Sequence, residues 1–216
     1  MLKIVCLSDT HGFHDRLEIP DGDILIHAGD MTWRGEADQV EKFAGWLEHL
    51  PHRHKIVIAG NHDWHFQRQP RDAPRMLGNA MYLQDSGVTI EGLKFWGSPW
   101  QPFYLDWAFN LQRGPEIRSK WDLIPSDTDI LITHGPPAGI LDLARGEHFG
   151  CADLLAVVER IRPRLHLFGH IHEARGMMNL NGTLCINASS ALPWYKRWRP
   201  PVVLRVGDNS VDVVAF

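Results

Sequence analysis

Aspartate, asparagine and histidine recur in this sequence at one kind of place. Ser8-Asp9-Thr10-His11-Gly12, Ala28-Gly29-Asp30, Gly60-Asn61-His62-Asp63, His134-Gly135-Pro136-Pro137 and Gly169-His170-Ile171-His172 each follow a short run rich in Ile, Val and Leu, and each contains glycine. Imidazole, carboxylate and amide oxygen form a mixed nitrogen and oxygen donor set, which suits Mn, Fe, Zn, Co or Ni better than Mg or Ca. Residues i and i+2 of an extended chain point to the same face. Asp9 with His11, and His170 with His172, are therefore expected to reach one centre together. So many ligands exceed the needs of one ion and fit two ions that share a bridging carboxylate.

The elements that must position these residues read as buried strands. Runs at about 2–7, 24–28, 55–59, 129–133 and 165–168 are bounded by Gly, Asp or Pro, as buried strands are. In open α/β sheets, ligands bind at the carboxyl ends of such strands. A helix is expected over about 36–50, with Val40, Phe43, Leu47 and Leu50 at helical spacing and Pro51 as its stop. A second is expected over about 151–162, on Leu154, Leu155, Val158 and Ile161, ending before Pro163. Short strands are expected from 81 to 97 around Glu91-Gly92. Hairpins follow after 176, at Asn181-Gly182 and around Gly207-Asp208-Asn209. Residues 98–110, rich in Pro and aromatics, fit neither element, so a loop this apolar must pack onto or cover something.

Composition bounds the rest. The chain of 216 residues, with 44% hydrophobic and 22% charged residues, reads as a single globular domain, 1–216, with a real core. A net charge of −4 argues against a dedicated nucleic-acid binder, which needs a basic face. No apolar run approaches the roughly 18 residues of a membrane span, and the start is too short an apolar stretch for a signal peptide. Cys6, Cys151 and Cys185 lack metal-type spacing and read as reduced core thiols of a cytoplasmic protein. Nucleophile-elbow, zincin, Walker and dinucleotide-binding motifs are absent.

The ordered blocks D-x-H, GD, GN-H-D, H and GH-x-H, running from Asp9 to His172, resemble the calcineurin-like metallophosphoesterase superfamily. The chain is most similar to its small metallophosphoesterase-domain-containing branch, through Leu25-Ile26-His27-Ala28-Gly29-Asp30, Gly97-Ser98-Pro99-Trp100 and Asp106-Trp107-Ala108-Phe109-Asn110. The second block reads Gly-Asp-Met-Thr-Trp-Arg-Gly, where the superfamily's protein phosphatases have GD-x-V-D-R-G. That departure argues against a phosphoprotein substrate.

The resemblance implies an α/β fold of two packed mixed β-sheets flanked by helices, a four-layer αββα sandwich. It implies Asp9, His11 and His172 as ligands of one metal, Asn61, His134 and His170 as ligands of a second, and Asp30 as the bridge. His62 is the implied general acid, with Asp63 a candidate to orient it. The cofactors are then two divalent transition-metal ions, Mn first among Fe, Zn, Co and Ni. The expected activity is a dinuclear metal-dependent phosphodiesterase, in which a metal-bridging hydroxide attacks a small phosphodiester, cyclic nucleotides included. Two dications less Asp9, Asp30 and the hydroxide leave a local charge of about +1, which neutralises a diester better than a monoester. A nuclease and a non-catalytic metal-bound scaffold stay open as alternatives, and the oligomeric state is left open.

Other residues carry plainer readings. His27 and His166 are expected as hydrogen-bonded core histidines, and His49, His52, His54 and His65 as surface residues. Trp33 and Trp46 read as core. His14 and His148 sit in loops able to face the site. Trp100, Trp107 and His148 are candidate substrate contacts. The aromatic stretches 100–107 and 194–199 are open between core or subunit packing and a pocket wall with a basic rim.

Overall fold

The structure is a computed structural model that describes every residue except 193–196 and 208–209. In chain order its strands are β1 (Leu2–Leu7), β2 (Ile24–Ala28), β3 (His54–Ile58), β4 (Met81–Tyr82), β5 (Ser86–Ile90), β6 (Leu93–Ser98), β7 (Gln101–Pro102), β8 (Asn110–Leu111), β9 (Ile130–Thr133), β10 (Leu143–Ala144), β11 (Glu147–His148), β12 (Leu165–Phe168), β13 (Gly176–Leu180), β14 (Thr183–Asn187), β15 (Val202–Val206) and β16 (Val211–Ala215). The helices are α1 (Ala37–Glu48), α2 (Trp64–Arg68), α3 (Ala73–Met76), α4 (Pro115–Trp121) and α5 (Ala152–Ile161).

Two six-stranded mixed sheets run in the orders β16-β15-β1-β2-β3-β4 and β13-β14-β12-β9-β6-β5. Alternation along each strand sends one set of apolar side chains to each face. Ile4, Ile26 and Ile56 of the first sheet meet Ile130, Leu165 and Ile186 of the second in one apolar layer. Val5, Leu25 and Val57 point the other way and are covered by Val40, Phe43 and Leu47 of α1. Leu131 on the outer face of the second sheet is covered by Ile117 and Trp121 of α4 and Leu154 and Val158 of α5. The strands read as unbroken apolar runs because both of their faces are buried. The result is the expected helix–sheet–sheet–helix layering.

The turn chemistry follows the sequence. Glu91-Gly92 and Asn181-Gly182 have positive φ at both residues, 49° and 83°, and 50° and 99°, as a two-residue hairpin turn requires. Helix α5 ends where Arg162 enters the left-handed region at φ 50°, immediately before Pro163. Residues 98–110 do contain structure. β7 and β8 pair in parallel, with Phe103 N–H donating to the Leu111 carbonyl at 2.8 Å. Two-residue strands carry no periodicity for a sequence to show. His52, expected at the surface, is buried, with Nε2 3.1 Å from the Pro20 carbonyl. Among the described residues, no helix is long and apolar enough to cross a membrane.

Candidate metal centre

β1, β2 and β3 are parallel neighbours, as are β9 and β12, so the segments after them leave the two sheets at one edge. Asp9, His11, Asp30, Asn61, His134, His170 and His172 all converge there. His172 Nε2 lies 3.3 Å from Asp9 Oδ1 and 3.2 Å from His11 Nε2. Asn61 Oδ1 lies 2.9 Å from His134 Nε2 and 2.8 Å from His170 Nδ1. Asp30 Oδ2 stands between the two groups, 3.8 Å from His11 Nε2 and 3.4 Å from His134 Nε2.

The convergence has a different backbone cause from the one expected. β1 and β12 end before the ligand segments, and Asp9, His11 and His170 adopt left-handed φ of 56°, 47° and 68°, while His172 opens a short 3₁₀ turn. The side chains meet because the chain turns back, not because it is extended. Such conformations cost about 1–3 kcal/mol each and persist when the surroundings over-determine them. Here the Asp9 and His11 amides donate to the Gly29 and Asp30 carbonyls at 2.9 Å, and the His170 amide donates to the Asp9 carboxylate at 3.1 Å.

The electrostatics fit a cation. Asp9 and Asp30 are at most 2% exposed, and burial penalises their charge. The neighbouring imidazoles nonetheless hold both carboxyls below the usual range, His172 beside Asp9 and His134 beside Asp30. Burial pushes His11 and His170 down to about 3, so both keep neutral nitrogens, the form that ligates. Burial also opposes charge on His134, but the charge and hydrogen bond of Asp30 raise it to about 9, so a proton balances Asp30 where no other cation does. His134 Nδ1–H donates to the Ala28 carbonyl at 3.0 Å, which turns Nε2 into the site. Ligating histidines are oriented in this way. Candidate ligand atoms of Asp9, His11 and His172, of His11, Asp30 and His62, and of Asp9, Asp30 and His134 each lie within 4.8 Å of one another.

Asp30, Asn61, His170 and His172 line a cavity of about 620 Å³. Residues 2–174 match the calcineurin-like phosphoesterase family. The chain belongs to this family. Metallophosphoesterase domain-containing protein 1 of Homo sapiens is 43% identical over 94% of this chain and 70% of its own length. A UPF0046 protein of Caenorhabditis elegans is 43% identical over 98% of this chain and 77% of its own. A solved archaeal phosphodiesterase shares the fold at a TM-score of 0.56 and 17% identity, over 99% of each chain. The chain is thus a metal-dependent phosphoesterase of the metallophosphoesterase-domain-containing branch.

His62 of the phosphoesterase stands at the cavity wall, its ring 4.6 Å from that of His11 and 4.3 Å from that of Trp107. The group that orients it is not Asp63. His62 Nδ1 donates to the Trp33 carbonyl at 2.8 Å, whereas the buried Asp63 carboxylate accepts from the Gly60 amide at 2.8 Å, the Thr32 amide at 2.9 Å and the Thr32 hydroxyl at 2.6 Å. Burial, with Asp30 nearby, raises Asp63 to about 6 against those hydrogen bonds. Asp63 ties the second and third ligand segments together.

Of the three candidate substrate contacts, Trp107 lines the cavity, whereas Trp100 and His148 do not. Trp100 Nε1 donates to the Asp85 carboxylate at 2.8 Å and Lys120 sits over its ring at 4.6 Å, so its indole is built into the fold. His148 Nδ1 donates to Asp142 at 2.6 Å, and the cavity instead takes Ala144 and Phe149 from that hairpin. His14 is buried against Phe43 and Trp46. His27 and His166 bond Thr10 and Thr133 at 2.9 and 2.8 Å, as core histidines should. Trp33, read as core, is 37% exposed beside His62 and His11. Sequence reading missed Gln101, Phe103, Tyr104, Arg145 and Glu173 in the cavity wall. The signal for Gln101, Phe103, Tyr104 and Arg145 was only the apolar loop and its opposing hairpin, and for Glu173 its place beside His172. Trp194, Tyr195 and Lys196 lie outside the described residues, while Arg199 Nη1 donates to the His172 carbonyl at 3.1 Å. All three cysteines are buried, and burial pushes the Cys185 thiol up to about 12, so no thiolate is offered for chemistry.

A Cβ on Gly169 would overlap Asp9 Oδ2 and Ser8 Oγ. Gly169→Ala is therefore expected to displace Asp9 and weaken metal binding by about 10–100-fold, the scale seen when a ligand loses its support. Calorimetric titration with Mn²⁺, with circular dichroism as the check on folding, measures this. Wild-type affinity in the variant would show that the close approach has no role.

Proposed function

We propose that this phosphoesterase is a dinuclear phosphodiesterase acting on small phosphodiesters, cyclic nucleotides among them. The observation that carries the reading is the pair of donor groups joined through Asp30, which itself lines the cavity. In this assignment Asp9, His11 and His172 hold one divalent ion, Asn61, His134 and His170 hold the other, and Asp30 bridges them, with Mn first among the candidates. When bound, such ions polarise phosphoryl oxygens and acidify water.

The chain's own residues do the rest. Hydrolysis joins a water oxygen to phosphorus and breaks the bond to the leaving oxygen, which needs a proton. With Nδ1 held by Trp33, His62 has Nε2 left to deliver that proton. Trp107, tilted 34° against the His62 ring, offers a flat face to the leaving or retained group. The donors of the wall suit a diester better than a monoester. The Arg113 guanidinium donates to the Phe149 and Gly150 carbonyls at 3.1 and 2.8 Å, which leaves it fewer donors for a phosphate, and the wall that contributes Arg145 also contributes the acidic Glu173. The net charge of −4 counts against a nuclease.

Elemental analysis combined with a panel of monoesters and diesters tests the reading. Two ions per chain and a higher kcat/KM on diesters are expected. A preference for monoesters, or a steep salt dependence of the kind polyanion binding gives, would replace it with a monoesterase or a nuclease.

A further inference from the structure

The loop between β7 and β8 holds apolar side chains out where water reaches them. Phe103, Tyr104 and Leu105 are 54%, 50% and 59% exposed, yet all three also line the cavity. Loop tips ordinarily carry polar and turn-forming residues, and this one is held in place at a cost. Leu105 has φ 55°, a region that a bulky side chain rarely enters.

Polar side chains, one of them buried, enforce the conformation. Asn110 Nδ2 donates to the Tyr104 and Leu105 carbonyls at 3.3 and 2.9 Å. Asn110 Oδ1 accepts from Gln101 Nε2 at 3.2 Å, and the same nitrogen donates to the Ala108 carbonyl at 3.2 Å. Gln101 is 2% exposed, so the lip is anchored in the protein interior. Across the mouth, Tyr104 meets Phe149 edge-on at 5.8 Å. Inward, Trp107 belongs to the same wall and rests on His62 at 4.3 Å. An apolar path therefore leads from the histidine that faces the reacting group to an outer lip that the cavity does not enclose.

We propose that this lip seats an extended apolar arm of the substrate, so that the enzyme accepts amphipathic phosphodiesters with an alkyl or acyl chain. The proposal rests on the phosphodiesterase reading and specifies its substrate class. Continuity with the cavity identifies the occupant: a chain attached to a phosphate at the metal centre can leave over these side chains. An anionic bilayer is a poorer occupant, because the exposed Asp106 follows Leu105 in the loop, Glu173 lines the same cavity and the chain carries a net charge of −4.

The test is a series of alkyl 4-nitrophenyl phosphates, methyl to octyl, kept below micelle formation and given to the Mn-loaded enzyme. The leaving group is constant, so chain length reports only the retained arm. Full burial of a methylene is worth about fourfold; on a half-exposed lip about twofold each is expected, or roughly 10²-fold in kcat/KM from methyl to octyl. In a Tyr104→Ser/Leu105→Ser variant that rise should fall below about fivefold, each variant's own methyl ester serving as reference. Binding of non-hydrolysable alkyl phosphonates should show a negative ΔCp that grows with chain length, again flattened in the variant. Methyl ester turnover with no dependence on chain length overturns this proposal and leaves the phosphodiesterase reading standing. A dependence that survives in the variant also overturns it. So does a wild-type dimer that the variant abolishes, since a second copy then covers the lip. Absence of turnover on any diester with metals bound takes down both readings.

Discussion

Asp30→Ala is expected to abolish hydrolysis of every phosphoester. Asp30 Oδ2 is the oxygen that faces both donor groups, 3.8 Å from His11 Nε2 and 3.4 Å from His134 Nε2. Removing it takes a negative charge from the middle of the site and leaves Asp9 as the carboxylate beside His134 and His11. Stabilisation of transition-state charge by metal ions is worth several kcal/mol, so its loss corresponds to about 10³-fold or more in kcat. Both ions should be lost or misplaced together, which elemental analysis reads directly. The variant has a second effect: Asp30 Oδ1 also accepts the His62 amide at 2.8 Å, so the loop carrying His62 loosens. Asp30→Asn separates the two effects, because an amide oxygen keeps that hydrogen bond while the charge is gone. If Asp30→Asn binds two ions and turns over substrate near the wild-type rate, the bridging role is wrong.

The site was legible in the sequence because its residues sit at the ends of strands whose apolar runs are unmistakable. Ile24–Ala28 and Leu165–Phe168 are buried on both faces, so polar residues just beyond them must be at a sheet edge. What the sequence did not show was backbone direction. The left-handed φ of Asp9, His11 and His170 depends on hydrogen bonds to segments 19 to 161 residues away, such as the His170 amide on Asp9, and no local pattern encodes it. The same limit separates Trp100 from Trp107. Both are indoles on one loop, but Asp85 and Lys120, distant in sequence, capture Trp100. His148 was claimed by the nearby Asp142, which also anchors the Gly139 and Gly150 amides at 2.9 and 3.0 Å. The aromatic loop was correctly expected to cover something, whereas the particular side chains that do so were set by the turn at Leu105 and its clamp to Asn110.

His62→Ala is expected to separate substrates by their leaving groups. An alkoxide is a poor leaving group and needs a proton as the P–O bond breaks, whereas a nitrophenolate departs without one. General-acid assistance is typically worth about 10²–10⁴-fold, and a loss of that size is expected on alkyl and nucleotide diesters. The loss on nitrophenyl diesters should be less than about tenfold, since the protonation that His62 supplies matters little to them. Metal content should stay near wild type, because the His62 imidazole hydrogen-bonds the Trp33 carbonyl and meets the proposed ligand His11 only ring to ring. His170→Ala is the control with the opposite pattern. Its Nδ1 lies 2.8 Å from Asn61 Oδ1 among the donor atoms, so it should disturb metal binding and depress both substrate classes together. His62 also lies within 4.8 Å of candidate ligand atoms on His11 and Asp30, which gives the experiment its edge. A His62→Ala variant that sheds an ion, or that slows both leaving-group classes equally, would make His62 a ligand or a phosphate-positioning group. The acid would then have to come from elsewhere in the cavity, and neither His14, buried against Phe43, nor His148, bound to Asp142, is placed to supply it.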